Sequence, residues 1–165
     1  QSAYFLYRLN ASRGNVDEAL SYISEALAYT DLETETAADY NYEAAAFCVK
    51  NGRNPQAITF AEKAKELSSS YAGKVYFLIG TIWGATSCGG DEISRRAPYW
   101  VAVDYMERAK AADASLAEDC NRMISQYRVY YPQTAEAFMY NLTDGQSYTV
   151  SCGGMRATTT VRTQK

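Results

Sequence analysis

The chain has 165 residues, with 16 Lys and Arg against 19 Asp and Glu, a formal net charge of −3, no histidine and four cysteines. That length buries a core without cross-links. The balance of charge, with basic residues scattered and nowhere interleaved densely with aromatics, excludes a nucleic-acid footprint. No apolar run is long enough to span a bilayer.

Taken in chain order, the hydrophobic periodicity predicts helices over 2–13, 16–29, 34–50, 55–68, 71–86, 98–112 and 115–131. Punctuation supports several joints. Asn15 with Glu18, and Ser115 with Glu118, read as capping boxes, and Asn54 before Pro55 reads as an N-cap followed by proline at the first helical position. Pro98 is expected to open the helix carrying Tyr99, Trp100, Val103 and Met106. Beyond Pro132 a short helix over 134–141 is expected to bury Phe138 and Met139. The pattern then turns two-periodic: Tyr148, Val150 and Cys152 alternate with Thr149 and Ser151, Gly153 and Gly154 interrupt, and 158–161 is β-branched throughout. This is a β-hairpin signature. A two-stranded ribbon is marginal alone, so it is expected to cover the stripe of Met123, Ile124, Tyr127 and Tyr131 as a terminal cap.

A small-residue block recurs along the helical part. Gly14, Ala19, Ile23 and Ala26 form one copy; Gly52, Ala57, Ala61 and Ala64 form a second; Ala102, Met106 and Ala109 form a third without the glycine. Alanines one or two turns apart allow a neighbouring helix to approach closely, and recurrence implies stacked helical hairpins. Tyr76, Ile79, Gly80 and Trp83 add the large-x-x-Leu-Gly-x-x-Tyr spacing of a tetratricopeptide first helix. Over 2–131 the chain resembles the tetratricopeptide-repeat family, with degenerate copies: Leu6 and Tyr7, then Ala44 and Ala45, stand at the Leu-Gly pair, and Cys48 stands at the tyrosine. The landmarks advance by 38 residues from Ala19 to Ala57 and by 45 from Ala57 to Ala102. The second step places an insertion at 87–96, on one rim of such a stack.

The resemblance implies an all-α, right-handed solenoid of three helical hairpins plus a capping helix over 1–131, with the short helix and small β-hairpin of 132–165 as its cap. It also implies a groove lined by first helices that accepts a protein or peptide. Its positions fall on Tyr4 and Arg8, then Asp39, Tyr42, Ala46 and Lys50, then Lys74, Phe77 and Thr81. Ala46 and Thr81 stand where the family's two-carboxylate clamp wants polar or basic groups. Tyr4, Tyr42 and Phe77 would favour an apolar or extended segment, or else pack between adjacent pairs. The run from Tyr131 to Phe138, with 144–150 and 158–163, is similar to the tail of exported tetratricopeptide proteins of Gram-negative envelopes. That likeness implies the C-terminal part of a longer polypeptide in a periplasmic or outer-membrane-associated location.

Ser-Cys-Gly-Gly occurs at 87–90 and again at 151–154. Cys88 and Cys152 are therefore candidates for a disulfide, or for two thiols in a reducing compartment; metal binding by two cysteines without histidine is disfavoured. Cys48 and Cys120 fall on apolar helix faces as small buried hydrophobes. Asp91, Glu92, Arg95 and Arg96 are the one dense polar group, read as a solvated, mutually paired loop and alternatively as acid/base chemistry on a glycan. Without histidine or a phosphate-cradling loop, no enzyme activity, metal or cofactor is expected. The expected function is a non-catalytic adaptor for a protein or peptide. The alternatives are an assembly module that self-associates through the hairpin edge, and a glycan or small-ligand binder using 87–96. No nucleic-acid partner and no transmembrane segment are expected.

Overall fold

The computed structural model describes residues 2–165, and its contacts divide the chain into two compact units, 1–71 and 72–165. The protein is mainly helical, with a small antiparallel hairpin near the C-terminus. Among the described residues no helix is long and apolar enough to cross a membrane.

Unit 1 holds α1 (Ser2–Ser12), α2 (Val16–Leu27), α3 (Thr34–Lys50) and α4 (Asn54–Leu67), followed by a 3-10 turn, Ser69–Tyr71. Helix α1 packs on α2 and α3 on α4. The seams are built from the repeated block: Ala19, Ile23 and Ala26 of α2, and Ala57, Ala61 and Ala64 of α4, are all fully buried. The connecting turns repeat as well. Gly14 (φ 76°) and Gly52 (φ 73°) take the left-handed conformation that side chains resist. In each case the next residue's N–H returns to a carbonyl five residues back, Asn15 to Asn10 at 2.9 Å and Arg53 to Cys48 at 2.8 Å. These 6→1 closures satisfy carbonyls that the ending helix leaves without a partner.

The caps differ from expectation. The Asn15 side chain donates to Asn10 Oδ1 at 3.1 Å and does not cap α2. Asn54 is itself helical, with Arg53 at the cap. Ser115 gives both its N–H (3.0 Å) and its hydroxyl (2.6 Å) to Asp113 Oδ1, which tightens Ala114–Leu116 into a 3-10 turn ahead of the helix.

Unit 2 holds α5 (Ala72–Gly84), α6 (Glu92–Ala112), α7 (Ala117–Arg128), α8 (Thr134–Met139) and the strands β1 (Ser147–Cys152) and β2 (Met155–Thr160). Helix α6 packs on both α5 and α7. Gly80 lets α5 and α6 meet, since a Cβ there would lie 3.0 Å from Met106 Cε and 3.3 Å from the Ala102 carbonyl. Ala102, Met106 and Ala109 are fully buried, and Ile79 and Trp83 pack inward from α5.

Pro98 does not open α6. The helix begins at Glu92, so residues 92–96 of the expected loop are its first turns. Asp91 caps it by accepting the Ser94 N–H at 2.8 Å, and Pro98 sits buried in the second turn, where its missing N–H forfeits only the bond to the Ser94 carbonyl.

The hairpin also sits elsewhere than expected. It lies against α6, with Tyr148 edge-on to Trp100 at 5.4 Å and Thr159 donating to Asp104 at 2.5 Å. The α7 stripe is covered from other directions: Gly84 of α5 meets the Tyr127 ring, which also packs on Tyr99 at 5.9 Å. In the hairpin Tyr148 pairs with Thr159 and Val150 with Ala157, and Gly153 and Gly154, both at positive φ, make its two-residue turn.

Helix α8 buries Ala137, whereas Phe138 and Met139 are 71% and 81% exposed. Six residues offer one inward position, and alanine takes it. Glu136 reaches back to the Gln133 N–H at 2.9 Å, a capping contact that the sequence reading passed over. The last residues run as a strap beside α6 and α7, where Gln164 Nε2 donates to the carbonyls of Arg128 and Tyr131, both at 2.9 Å, at the end of α7.

Candidate functional site

Unit 1 carries one part of the predicted first-helix row. On α3 the core face is Ala38, Asn41, Ala44, Ala45 and Cys48. Asp39, Tyr42, Ala46 and Lys50 recur at three- and four-residue steps on another face, where Tyr42 is half-buried and the other three are exposed. On α1, Tyr4 is half-buried and Arg8 exposed. The Tyr4 ring stacks on Tyr40 with centroids 4.2 Å apart, and its hydroxyl donates to the Glu43 carboxylate at 2.7 Å. Burial, then the hydrogen bond and negative charge of Glu43, push its pKa up to about 12. Tyr42 packs on Tyr71 at 5.2 Å, and the Tyr71 hydroxyl donates to Asp39. Burial first and Asp39 second push Tyr71 up to about 12 as well. The rings are thus held in fixed poses by neighbouring rings and acids.

Unit 2 carries the rest of the row on α5. Lys74 is exposed and Phe77 and Thr81 are half-buried; the Thr81 hydroxyl is turned back onto its own helix, donating to the Leu78 carbonyl at 2.7 Å.

Asp91, Glu92, Arg95 and Arg96 come together at the start of α6. Glu92 accepts from Arg95 and from Arg96, each at 2.6 Å, while Arg95 also donates to the Gly90 carbonyl (2.9 Å) and Arg96 to the Tyr130 carbonyl (2.9 Å). The two guanidiniums, Arg96 foremost, hold the Glu92 carboxyl below the usual carboxylate range, and the Ser94 N–H does the same for Asp91. Glu92 is thus paired with both arginines, whereas Asp91 is spent on the helix cap, and the group starts a helix where a loop was expected.

Cys88 and Cys152 lie at disulfide distance, with Cα atoms 5.8 Å apart, and join the α5–α6 connection to the end of β1. Cys48 and Cys120 are buried and unbridged, and burial raises both thiol pKa values, Cys48 to about 11. Among the described residues no group of three or more Cys, Asp or Glu is placed to hold a metal ion.

A cleft of about 600 Å³ opens in unit 2 between α6, the end of α7 and the C-terminal strap. Asp104, Arg128, Tyr131, Asp144, Arg162 and Lys165 line it. Arg162 pairs with Asp104 and donates to the Trp100 carbonyl at 2.8 Å; Lys165 pairs with Asp144 at 2.9 Å. Asp144 also accepts the Thr163 N–H at 2.9 Å, and these donors, Lys165 first, hold its carboxyl below the usual range. Sequence reading missed this site. Its residues come from four distant segments and share no motif.

Compared with models of protein families and with curated protein sequences, the chain matches none.

Proposed function

We propose that this chain is a non-catalytic binding module, a tetratricopeptide-like right-handed solenoid of helical hairpins that captures a protein or peptide segment on its first-helix faces. The observation that carries the reading is the pair of pinned tyrosines in unit 1. Tyr4 is fixed by Tyr40 and Glu43, Tyr42 is packed on Tyr71, and Arg8, Asp39 and Lys50 stand exposed on the same helices. Rings held in one pose lose little entropy when a partner's apolar side chains cover them. Arg8 and Lys50 would then orient acidic groups of the segment, and on unit 2, taken by itself, Phe77 and Lys74 offer the same kinds of side chain. The recurrence of the glycine turn and alanine seam at a 38-residue offset supports the repeat architecture. The Cys88–Cys152 bridge supports an oxidising compartment, and the bacterial envelope is proposed from the resemblance of the C-terminal run alone.

The test is capture of short, extended, aromatic-containing peptides by the folded chain, read by fluorescence anisotropy. Tyr42→Ala is expected to weaken capture about tenfold with helicity unchanged by circular dichroism. Retained capture, or loss of helicity on substitution, would assign the ring to packing and remove the reading.

A second reading is assembly. It is favoured by the exposure of Phe138 and Met139 at the end of α8. Concentration-dependent self-association that Phe138→Asp abolishes would support it, and a monomer at all concentrations would end it.

A further inference from the structure

The cleft between α6, α7 and the strap contains a polar group that the fold itself leaves unserved. Tyr131 is 7% exposed, and its hydroxyl proton reaches no acceptor among the described residues. The guanidiniums of Arg162 and Arg128 lie close enough to oppose the rise in its pKa that burial causes. A hydroxyl in that position, with cations beside it, is a donor waiting for an acceptor.

The charges in the cleft define which acceptor. Asp104, Glu107 and Asp144 face Arg128, Arg162 and Lys165, three carboxylates against three cations, so the site is neutral before anything enters. Most of the charges are already committed. Arg162 serves Asp104 and the Trp100 carbonyl, Lys165 serves Asp144, and Glu107 pairs with Lys110 at 3.3 Å. Arg128 carries no ion pair among the described residues. A guanidinium without an ion pair and a buried hydroxyl without an acceptor make a donor set for a single planar anion, which Arg128 can grip with two parallel N–H groups while Tyr131 donates a third bond. A dianion would face the three carboxylates with too little counter-charge. Val103 and the Tyr131 ring supply apolar wall, and about 600 Å³ is the size of a small-molecule site.

We propose that this cleft binds a monocarboxylate with an apolar body, its carboxylate seated on Arg128 and the Tyr131 hydroxyl. The carboxylate belongs either to a free organic acid or to the C-terminus of a peptide. The proposal stands on unit 2 alone and is independent of peptide capture by the first-helix faces.

The experiment is isothermal titration of the folded full chain with hexanoate, hexanamide, inorganic phosphate, and an apolar tripeptide with a free or an amidated C-terminus. Hexanoate is expected to bind at millimolar concentration or tighter, and hexanamide not to bind. Tyr131→Phe and Arg128→Gln are each expected to weaken hexanoate about tenfold. Because the hydroxyl proton reaches no acceptor in the fold, Tyr131→Phe should change the melting temperature little, and a melting curve run beside each titration separates lost binding from unfolding. Preference for the free-terminus tripeptide over hexanoate assigns the peptide source, and the reverse preference assigns the free acid. Absence of hexanoate and tripeptide binding, tighter binding of phosphate, or binding that survives both substitutions would overturn the proposal.

Discussion

Trp100 and Arg162 hold each other reciprocally: the indole Nε1 donates to the Arg162 carbonyl at 2.9 Å, and the Arg162 guanidinium donates to the Trp100 carbonyl at 2.8 Å. Each residue thus satisfies the other's backbone oxygen, and the strap is fixed to α6 in a single register. The same guanidinium pairs with Asp104, which also accepts from Thr159 of β2. Arg162→Met would leave a largely buried Asp104 without its counter-charge. A loss of about 2–4 kcal/mol is expected, measured by urea denaturation, with protection from hydrogen exchange falling first in the strap and hairpin.

Gly84 allows α5 to touch α7. A Cβ at that position would fall inside van der Waals contact of the Tyr127 ring. Gly84→Ala should cost about 1–3 kcal/mol through overpacking, despite the gain in helix propensity. In the double variant with Tyr127→Ala the alanine at 84 should cost nothing further, and an additive double-mutant cycle would refute the contact.

Thiol chemistry should divide the cysteines two and two. Under denaturing, non-reducing conditions only Cys48 and Cys120 are expected to react. In the folded chain both should be protected, because burial raises their pKa and excludes the reagent. Cys152→Ser opens a loop with a sequence separation of 64. By loop entropy it should cost up to about 4 kcal/mol, visible as a lower thermal midpoint.

Alkaline pH should unfold unit 1 in a defined window. Tyr4 and Tyr71 ionise near pH 12 in the folded chain, against an ordinary value of 10, and Tyr7 is raised further by burial and Glu43. The unfolded chain therefore releases these protons first. Their contribution to stability is complete below pH 10 and falls away as pH rises from 10 towards 12. Tyrosinate absorbance should show a late-titrating group of tyrosines whose ionisation coincides with loss of helical dichroism. Uniform titration near pH 10 with helicity intact would contradict it.

What the residues revealed in advance follows from how local the physics is. Gly14 and Gly52 announce their turns because a left-handed backbone selects glycine, and the alanine seams announce helix pairing because only small side chains fit there. Pro98 misled because it marks helix starts well yet is tolerated in a second turn once Asp91 has supplied a cap. Phe138 and Met139 misled because six residues are too few for periodicity to say which face turns inward. The hairpin was legible from alternation and its two glycines, but its resting place on α6 depends on Trp100, Asp104 and Arg162, which meet only across some sixty residues of chain. The cleft around Tyr131 was illegible for the same reason.

The bridge between Cys88 and Cys152 also fixes how this chain would carry tension. A pull applied outside the two cysteines travels through the sulfur link and passes over α6, α7, α8 and β1, whose residues lie inside the closed loop. Those elements would stay unloaded while the link holds. Reduction would release on the order of 200 Å of concealed contour length at about 3.5 Å per residue, so the thiol–disulfide balance of the surroundings would set the extensibility of unit 2.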